Sequence, residues 1–591
     1  MLNKLRSLMA DAGIDYFIVF SKDAHLSEYT GDCDRYRAVI SGFTGSAGTL
    51  VVSADEAFLW TDMRYHIQAE RQLSGTGISL MKYGLPGVAS FEDYICDHIW
   101  DGMTVAFDFM TASYEKYTSL AGRLPKSVSV IDGHDILISS ADMPKRVFEG
   151  ISCVPVDKAG VSVSEKLAKL RETVRKRYVN DESYTYIMSD LTSIMWLFNL
   201  RGRDIDYVPV AYSYAAITEY EATLYIARRK LSKEASENLE EQGARTSEYS
   251  TFYESLRDTA TDIVLADPFT NSCRVIKNFD EEGIYRECDD TVLIRKAVKN
   301  GAETEGMKSS HIKDAVTMIK FLRRIKELAA ENDLPDEYSA GAMLDDMRLH
   351  GGCSSLSFET ICAYGDNAAI VHYGVRKETS KKLEPKGFLL VDSGGQYQYE
   401  GTTDITRTIP LGPLTDEEKR GYTAVLIGNL RLMNMVFPAG CEGTLLDAIA
   451  EQSLWENGYY CGHGIGHGVG CNLSVHESEA RIGRRTQERE ITIRPGVVVS
   501  NEPGVYIEGS FGVRLENLLL TVPDKPIDGH PMCRFEALTL VPFDSSAVDL
   551  SMMSEKEISF LKGYHHLIWE TVSPHLDESD RMWLKEYIDI A

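Results

Sequence analysis

The sequence predicts a multidomain α/β (α+β) protein, on three observations. A chain of 591 residues is too long for a single hydrophobic core. Helical and strand patterns alternate from residue 1 to about 155, and again from about 160 to 295. A strongly amphipathic helix then opens a third region that runs to residue 591.

Each element follows from local pattern. Leu2, Leu5, Leu8 and Met9 recur at helical spacing, with Lys4, Arg6 and Asp11 between them. In SGFTGSAGTLVVS, Gly42, Gly45 and Gly48 match neither GxGxxG nor a phosphate loop. They read as a tight turn entering a strand at Leu50, Val51 and Val52. IMWLFNLRG and VAYSYAAI read as a buried helix and a buried strand of the second region. The polar stretch ECDD, residues 287–290, marks a boundary. Beyond it Ile312, Ala315, Val316, Ile319, Leu322 and Ile325 form one apolar stripe. No short internal repeat and no low-complexity segment stands out.

Composition excludes several classes. The formal net charge of -27 argues against a general nucleic-acid binder, which needs a basic surface to displace counterions. It equally disfavours anionic membranes. The charges in the first turns interrupt any signal-peptide core, and no apolar run reaches membrane-spanning length. Eleven scattered cysteines without a CxxC pair point to a reduced, cytoplasmic setting.

The chemistry concentrates in the third region. CGHGIGHGVGC, residues 461–471, has glycine at every second position. If extended, it sends His463 and His467 to one face and leaves the other face open to close packing. A Gly-rich flexible loop is the alternative reading. GFLLVD ends an apolar strand on Asp392. GTTDITRTIPL puts Asp404, Thr406 and Thr408 on one face. VVVSNEPGVY carries Glu502 at a strand end, and GVRLENLLL puts Arg514 and Glu516 on one face. One aspartate after a strand is usually a turn residue. Four strand-associated carboxylates with His467 among them are a different matter, because buried carboxylates ionise together only beside cations. Hard oxygens with one imidazole suit a pair of divalent ions such as manganese. A zinc–thiolate site is disfavoured, although Cys461 and Cys471 are close in sequence. HGIGH is not HExxH, since it lacks the glutamate base and is poor helix.

These motifs, in order, are VDSGGQY with GTTDITRT, GHGIGHGVG, LSVHE, SNEPGVY and VRLEN. Together they resemble the creatinase/aminopeptidase family with the pita-bread fold, in its long three-domain aminopeptidase form. Further segments carry the resemblance over nearly the whole chain: SEYTGDCDRYRAVISGFTGSAG, LWTDMRYHIQAERQL, MWLFNLRG, AVKNGAETEGMKSSHIKDAV and FEALTLVPFD.

The resemblance implies two creatinase-like domains, 1–155 and 156–297, and a pita-bread catalytic domain, 298–591, with a carboxyl-terminal extension from about 530. It implies that Asp392, Asp404, His467, Glu502 and Glu516 bind two divalent ions, manganese before zinc or cobalt. Asp404 and Glu516 would bridge them, Asp392 would serve one, and His467 and Glu502 the other. His372 and His476 align with catalytic histidines near the scissile peptide, Glu502 with the proton carrier, and His463, Tyr506 and Arg514 with residues around the proline pocket or behind the metal ligands. The implied reaction is hydrolysis of the amino-terminal Xaa-Pro bond by a hydroxide held between two metals. The implied partners are peptides with proline second and a second copy of the chain, with no nucleic acid and no membrane. A prolidase or a non-catalytic peptide-binding scaffold on the same fold are the alternatives. The sequence departs from the family pattern in one extra residue between Asp392 and Asp404, within QYQYEG, and in Met63 where glycine is usual. A longer hairpin tip would absorb the extra residue, whereas a shifted register would turn one aspartate away.

Overall fold

The computed structural model describes residues 1–484 and 492–589. They form two compact units, residues 1–156 with 161–293 and residues 157–160 with 294–591.

The first unit contains two six-stranded sheets. One runs in the order Ser79–Lys82, Ala57–Thr61, Thr49–Val52, Tyr16–Val19, Thr104–Phe107, Ser129–Asp132. The other runs Arg245–Glu248, Ala222–Ile226, Ser213–Thr218, Tyr184–Met188, Ile263–Ala266, Tyr285–Glu287. In each, the two central pairings between strands two to four are antiparallel and the outer ones parallel. The unit is thus one topology used twice. Such a repeat leaves no short sequence period, because only burial pattern and strand order are shared. The amino-terminal helix Leu2–Ala12 buries Leu5 and Met9. The IMWLFNLRG segment forms the buried helix Leu191–Leu197.

The second unit opens on the helix Gly301–Glu331, capped by Asn300, whose side chain accepts from the N–H groups of Ala302 and Glu303. Its stripe of Ala315, Ile319, Leu322 and Ile325 is buried in the unit's core. Against that core lie a six-stranded sheet, a three-stranded sheet and a two-stranded hairpin. The large sheet orders Val436–Pro438, His530–Ala537, Asn517–Ile527, Val498–Asn501, Gly466–Gly468 and Glu477–Ile482. The three-stranded sheet orders Ile361–Tyr364, Phe388–Ser393 and Ile405–Pro410, and the hairpin pairs Gly504–Ile507 with Phe511–Arg514.

Candidate metal centre

Carboxylates reach the site from strand ends. Asp392 sits near the end of Phe388–Ser393, paired across from Thr406 and Ile361. Asp404 immediately precedes Ile405–Pro410, Glu502 immediately follows Val498–Asn501, and Glu516 links Phe511–Arg514 to Asn517–Ile527. Three overlapping groups have ligand atoms within 4.8 Å of one another: Asp392, Asp404 and Glu516; His467, Glu502 and Glu516; Asp404, His467 and His476. The extra residue in QYQYEG therefore leaves the two aspartates facing one site. The hairpin tip that follows Asp392 turns on Tyr399, at φ 60°, with Glu400 N–H donating to Tyr397 O at 2.9 Å.

The glycines of residues 461–471 have a steric reason. A side chain at Gly466 would meet Ser500 O at 2.1 Å, and one at Gly468 would meet Glu477 O at 2.4 Å. Two neighbouring strands approach this closely only because no Cβ intervenes. The extended reading holds for Gly466–Gly468 alone. His463 lies outside that strand, and its Nε2 is 2.7 Å from Tyr506 Oη. The two histidines thus serve different neighbourhoods.

Hydrogen bonds preset the donor set. His467 Nδ1 is 2.9 Å from Gly468 O, which fixes the proton on that nitrogen and leaves the Nε2 lone pair toward the acids. His467 Nε2 lies 3.5 Å from Glu502 Oε1 and 3.6 Å from Asp404 Oδ2. Ser500 links the same groups: its Oγ accepts from His467 N–H at 2.9 Å and donates to Glu502 Oε1 at 3.4 Å. Thr406 Oγ1 donates to Glu516 Oε2 at 2.8 Å. Arg514 donates through Nη2 to Asp392 Oδ2 at 2.6 Å and through Nη1 to Tyr506 Oη at 2.9 Å. Tyr506 in turn can donate to His463, whose Nδ1 is 2.9 Å from Gly464 O.

Electrostatics show what this cluster lacks. Burial, then the neighbouring carboxylates, pushes Asp404 and Glu502 well above the ordinary carboxylate range and Glu516 to about 7. Asp392 Oδ1 and Glu516 Oε1 are buried with no hydrogen-bond partner. Unsatisfied buried acceptors are costly, and so is a cluster of acids that repel one another. Divalent cations remove both penalties, so the residues present fit two hard ions.

His476 precedes Glu477–Ile482, with its ring 4.4 Å from that of His467 and nearly perpendicular to it. His372 is half-buried beyond the turn Gly365–Ala369, which packs on the Gly504–Ile507 and Phe511–Arg514 hairpin. Two contributors escaped the sequence reading. Ser500 was visible as a polar interruption at the end of an apolar strand. Arg407 alternates with Thr406 to the opposite face, where it donates to Glu516 O at 2.7 Å and to Val541 O at 2.6 Å.

Comparisons with known proteins decide the family. The description "Metallopeptidase family M24" matches residues 305–523, and "C-terminal region of peptidase_M24" matches 531–589. "Creatinase/Prolidase N-terminal domain" matches twice, at 1–141 and 142–303. A probable Xaa-Pro aminopeptidase P of Ajellomyces dermatitidis is 35% identical, over 99% of this chain and 98% of its own length. The chain belongs to metallopeptidase family M24. A second relative, the probable Xaa-Pro aminopeptidase P of Metarhizium robertsii, is 36% identical over 95% of this chain and 94% of its own. The crystal structure of X-prolyl aminopeptidase from Caenorhabditis elegans, described as a cytosolic enzyme with a di-nuclear active site, superposes with a TM-score of 0.94. That match has 31% identity and covers 100% of this chain and 99% of the other. This M24 chain thus combines two creatinase-type amino-terminal domains with a pita-bread domain. No helix among the described residues is long and apolar enough to cross a membrane.

Proposed function

We propose that the chain is a metal-dependent Xaa-Pro aminopeptidase, hydrolysing the first peptide bond of peptides with proline at the second position. The observation that carries the reading is the buried cluster of Asp392, Asp404, His467, Glu502 and Glu516, with two carboxylate oxygens left without partners. Full-length similarity to proteins named Xaa-Pro aminopeptidase supports the substrate class.

In this reading Asp392, Asp404, His467, Glu502 and Glu516 would hold two divalent cations, with Asp404 and Glu516 shared between the two sets. When bound, the cations supply Lewis acidity for water and for the scissile carbonyl. Glu502 accepts the proton of the attacking water and returns it toward the leaving nitrogen. Proline nitrogen is tertiary in the substrate, so it leaves only on gaining that proton. His476 donates to the oxygen on which negative charge develops. His372 holds the peptide on the leaving side, while His463, Tyr506 and Arg514 line the proline side. In the same reading the free amino terminus of the peptide sits near Asp392, which limits cleavage to one residue.

The reading extends to manganese as the native ion, supported by the oxygen-rich donor set. It extends also to a cytosolic homodimer, supported by the family resemblance and, for the compartment, by the cytosolic Caenorhabditis elegans enzyme. The test offers Arg-Pro-Pro and the dipeptide Gly-Pro to chelator-stripped protein with manganese restored. Release of arginine is expected. Cleavage of Gly-Pro alone would make the protein a prolidase, and no hydrolysis of either peptide would leave a scaffold.

A further inference from the structure

His476 projects from a segment held at its two ends. Upstream, Leu473 O accepts from Gln396 Nε2 at 2.7 Å and Leu473 N–H donates to Thr402 Oγ1 at 3.2 Å. Downstream, the next residue is Glu477, where the ladder with Gly466–Gly468 slips: His467 pairs with Arg481, but Gly468 pairs with Glu477. A strand that leaves its ladder at an irregularity has lost part of the hydrogen bonding that would hold it. Here a side chain replaces that hold. Lys296 Nζ is 2.8 Å from Glu477 Oε1, and Lys299 Nζ is 2.5 Å from Glu477 Oε2. The side chains are 3%, 0% and 1% exposed for Lys296, Lys299 and Glu477. With each oxygen gripped by a different ammonium, the carboxylate has no freedom to rotate.

The gripping segment is itself fixed. Lys299 N–H donates to Gly496 O at 2.8 Å, and Val298 pairs with Val497 just before the strand Val498–Asn501 that leads into Glu502. Stability alone does not account for the arrangement. Buried ions are a worse source of stability than apolar residues of similar volume. Lys296 and Lys299 belong to the KAVKN stretch, residues 296–300, at the entry to the second unit, to which the proposed chemistry assigns no task.

We propose that Lys296 and Lys299 are positioning residues for His476, acting through Glu477. The clamp sets the peptide that carries His476 and so the direction of its ring over the carboxylate cluster. The inference rests on the reading of His476 as the group acting on the transition state.

A double-mutant cycle tests it on the full chain loaded with manganese. Lys299→Met leaves the ion pair of Lys296 and Glu477 in place. Loss of alignment should lower kcat by about tenfold or more, with KM and bound manganese unchanged. In the His476→Ala background the same substitution should lower kcat by less than about twofold, because there is no longer a ring to position. An equal fold-loss in the two backgrounds, or no loss in the wild-type background, overturns the inference while leaving His476 catalytic. Unchanged kcat in His476→Ala itself removes instead the reading on which the inference rests. Melting curves accompany each variant. If Lys299→Met does not fold, Lys296→Met, which leaves the pair Lys299 and Glu477, takes its place. Failure of both to fold would assign the clamp to stability and overturn the proposal.

Discussion

Arg514 Nη2 lies 2.6 Å from Asp392 Oδ2, across 122 residues of sequence, and holds one oxygen of a carboxylate whose other oxygen has no partner. The guanidinium therefore orients Asp392 without occupying it. Arg514→Met should weaken binding of one of the two ions by roughly 10- to 100-fold, as loss of a partner behind a metal ligand does. Competition with a chelator measures it, and excess manganese should recover much of the activity. Unchanged affinity would mean that Arg514 serves only Tyr506 and the substrate side.

Removal of metal should abolish peptide hydrolysis, and manganese should restore it better than zinc. The reason is a donor set of four carboxylates and one imidazole, with no thiolate among the proposed ligands. Full activity after exhaustive chelation would end the two-metal reading.

His467 and His476 should separate by role although they are nine residues apart in sequence. His467→Ala should lose metal, since its Nε2 faces Asp404 and Glu502. His476→Ala should keep its metal and lose turnover by on the order of a hundredfold or more. The structure makes the opposite outcome concrete, because His476 stands with Asp404 and His467 in one group able to hold an ion. Equal metal loss in the two variants would make His476 a ligand.

Gly466→Ala should destabilise the second unit or empty its site. Its Cβ would be driven to 2.1 Å from Ser500 O, a backbone atom that cannot swing aside. Relief requires the strands carrying His467 and Glu502 to part, at a cost of about 1–3 kcal/mol or more. Melting temperature and bound metal together report it; a variant unchanged in each would show that the strands separate freely.

The first unit should carry a pH-dependent weakness at His25. Burial first, and Arg146 with it, holds this imidazole down to about 4, against 6.5 for the unburied group. The folded form then binds fewer protons than the unfolded form between these values. The stabilisation is whole above about pH 6.5 and is lost as pH falls toward about 4, a change on the order of 3 kcal/mol. His25→Gln should flatten the pH dependence of unfolding over that window relative to wild type. Parallel pH slopes in the two proteins would rule the effect out.

What the sequence determined by itself was local. Period decided the stripe of the helix Gly301–Glu331, and apolar runs ending in acids marked Asp392 and Glu502 as strand-end carboxylates. Alternation placed Asp404, Thr406 and Thr408 together, and alternate glycines signalled a close backbone approach, which Gly466 and Gly468 make against Ser500 and Glu477. Tertiary structure decided the rest. Thr406 meets Glu516 across 110 residues, Lys299 meets Glu477 across 178, and His463 turns to Tyr506 rather than staying beside His467. It also decided that the first unit uses one sheet order twice. The reason is physical: periodicity records which face of an element is buried, while the partner of a buried charge depends on the register between strands far apart in the chain. Arg407 shows the limit, since a polar residue at an alternating position reads as solvent-facing until another layer is seen to cover it.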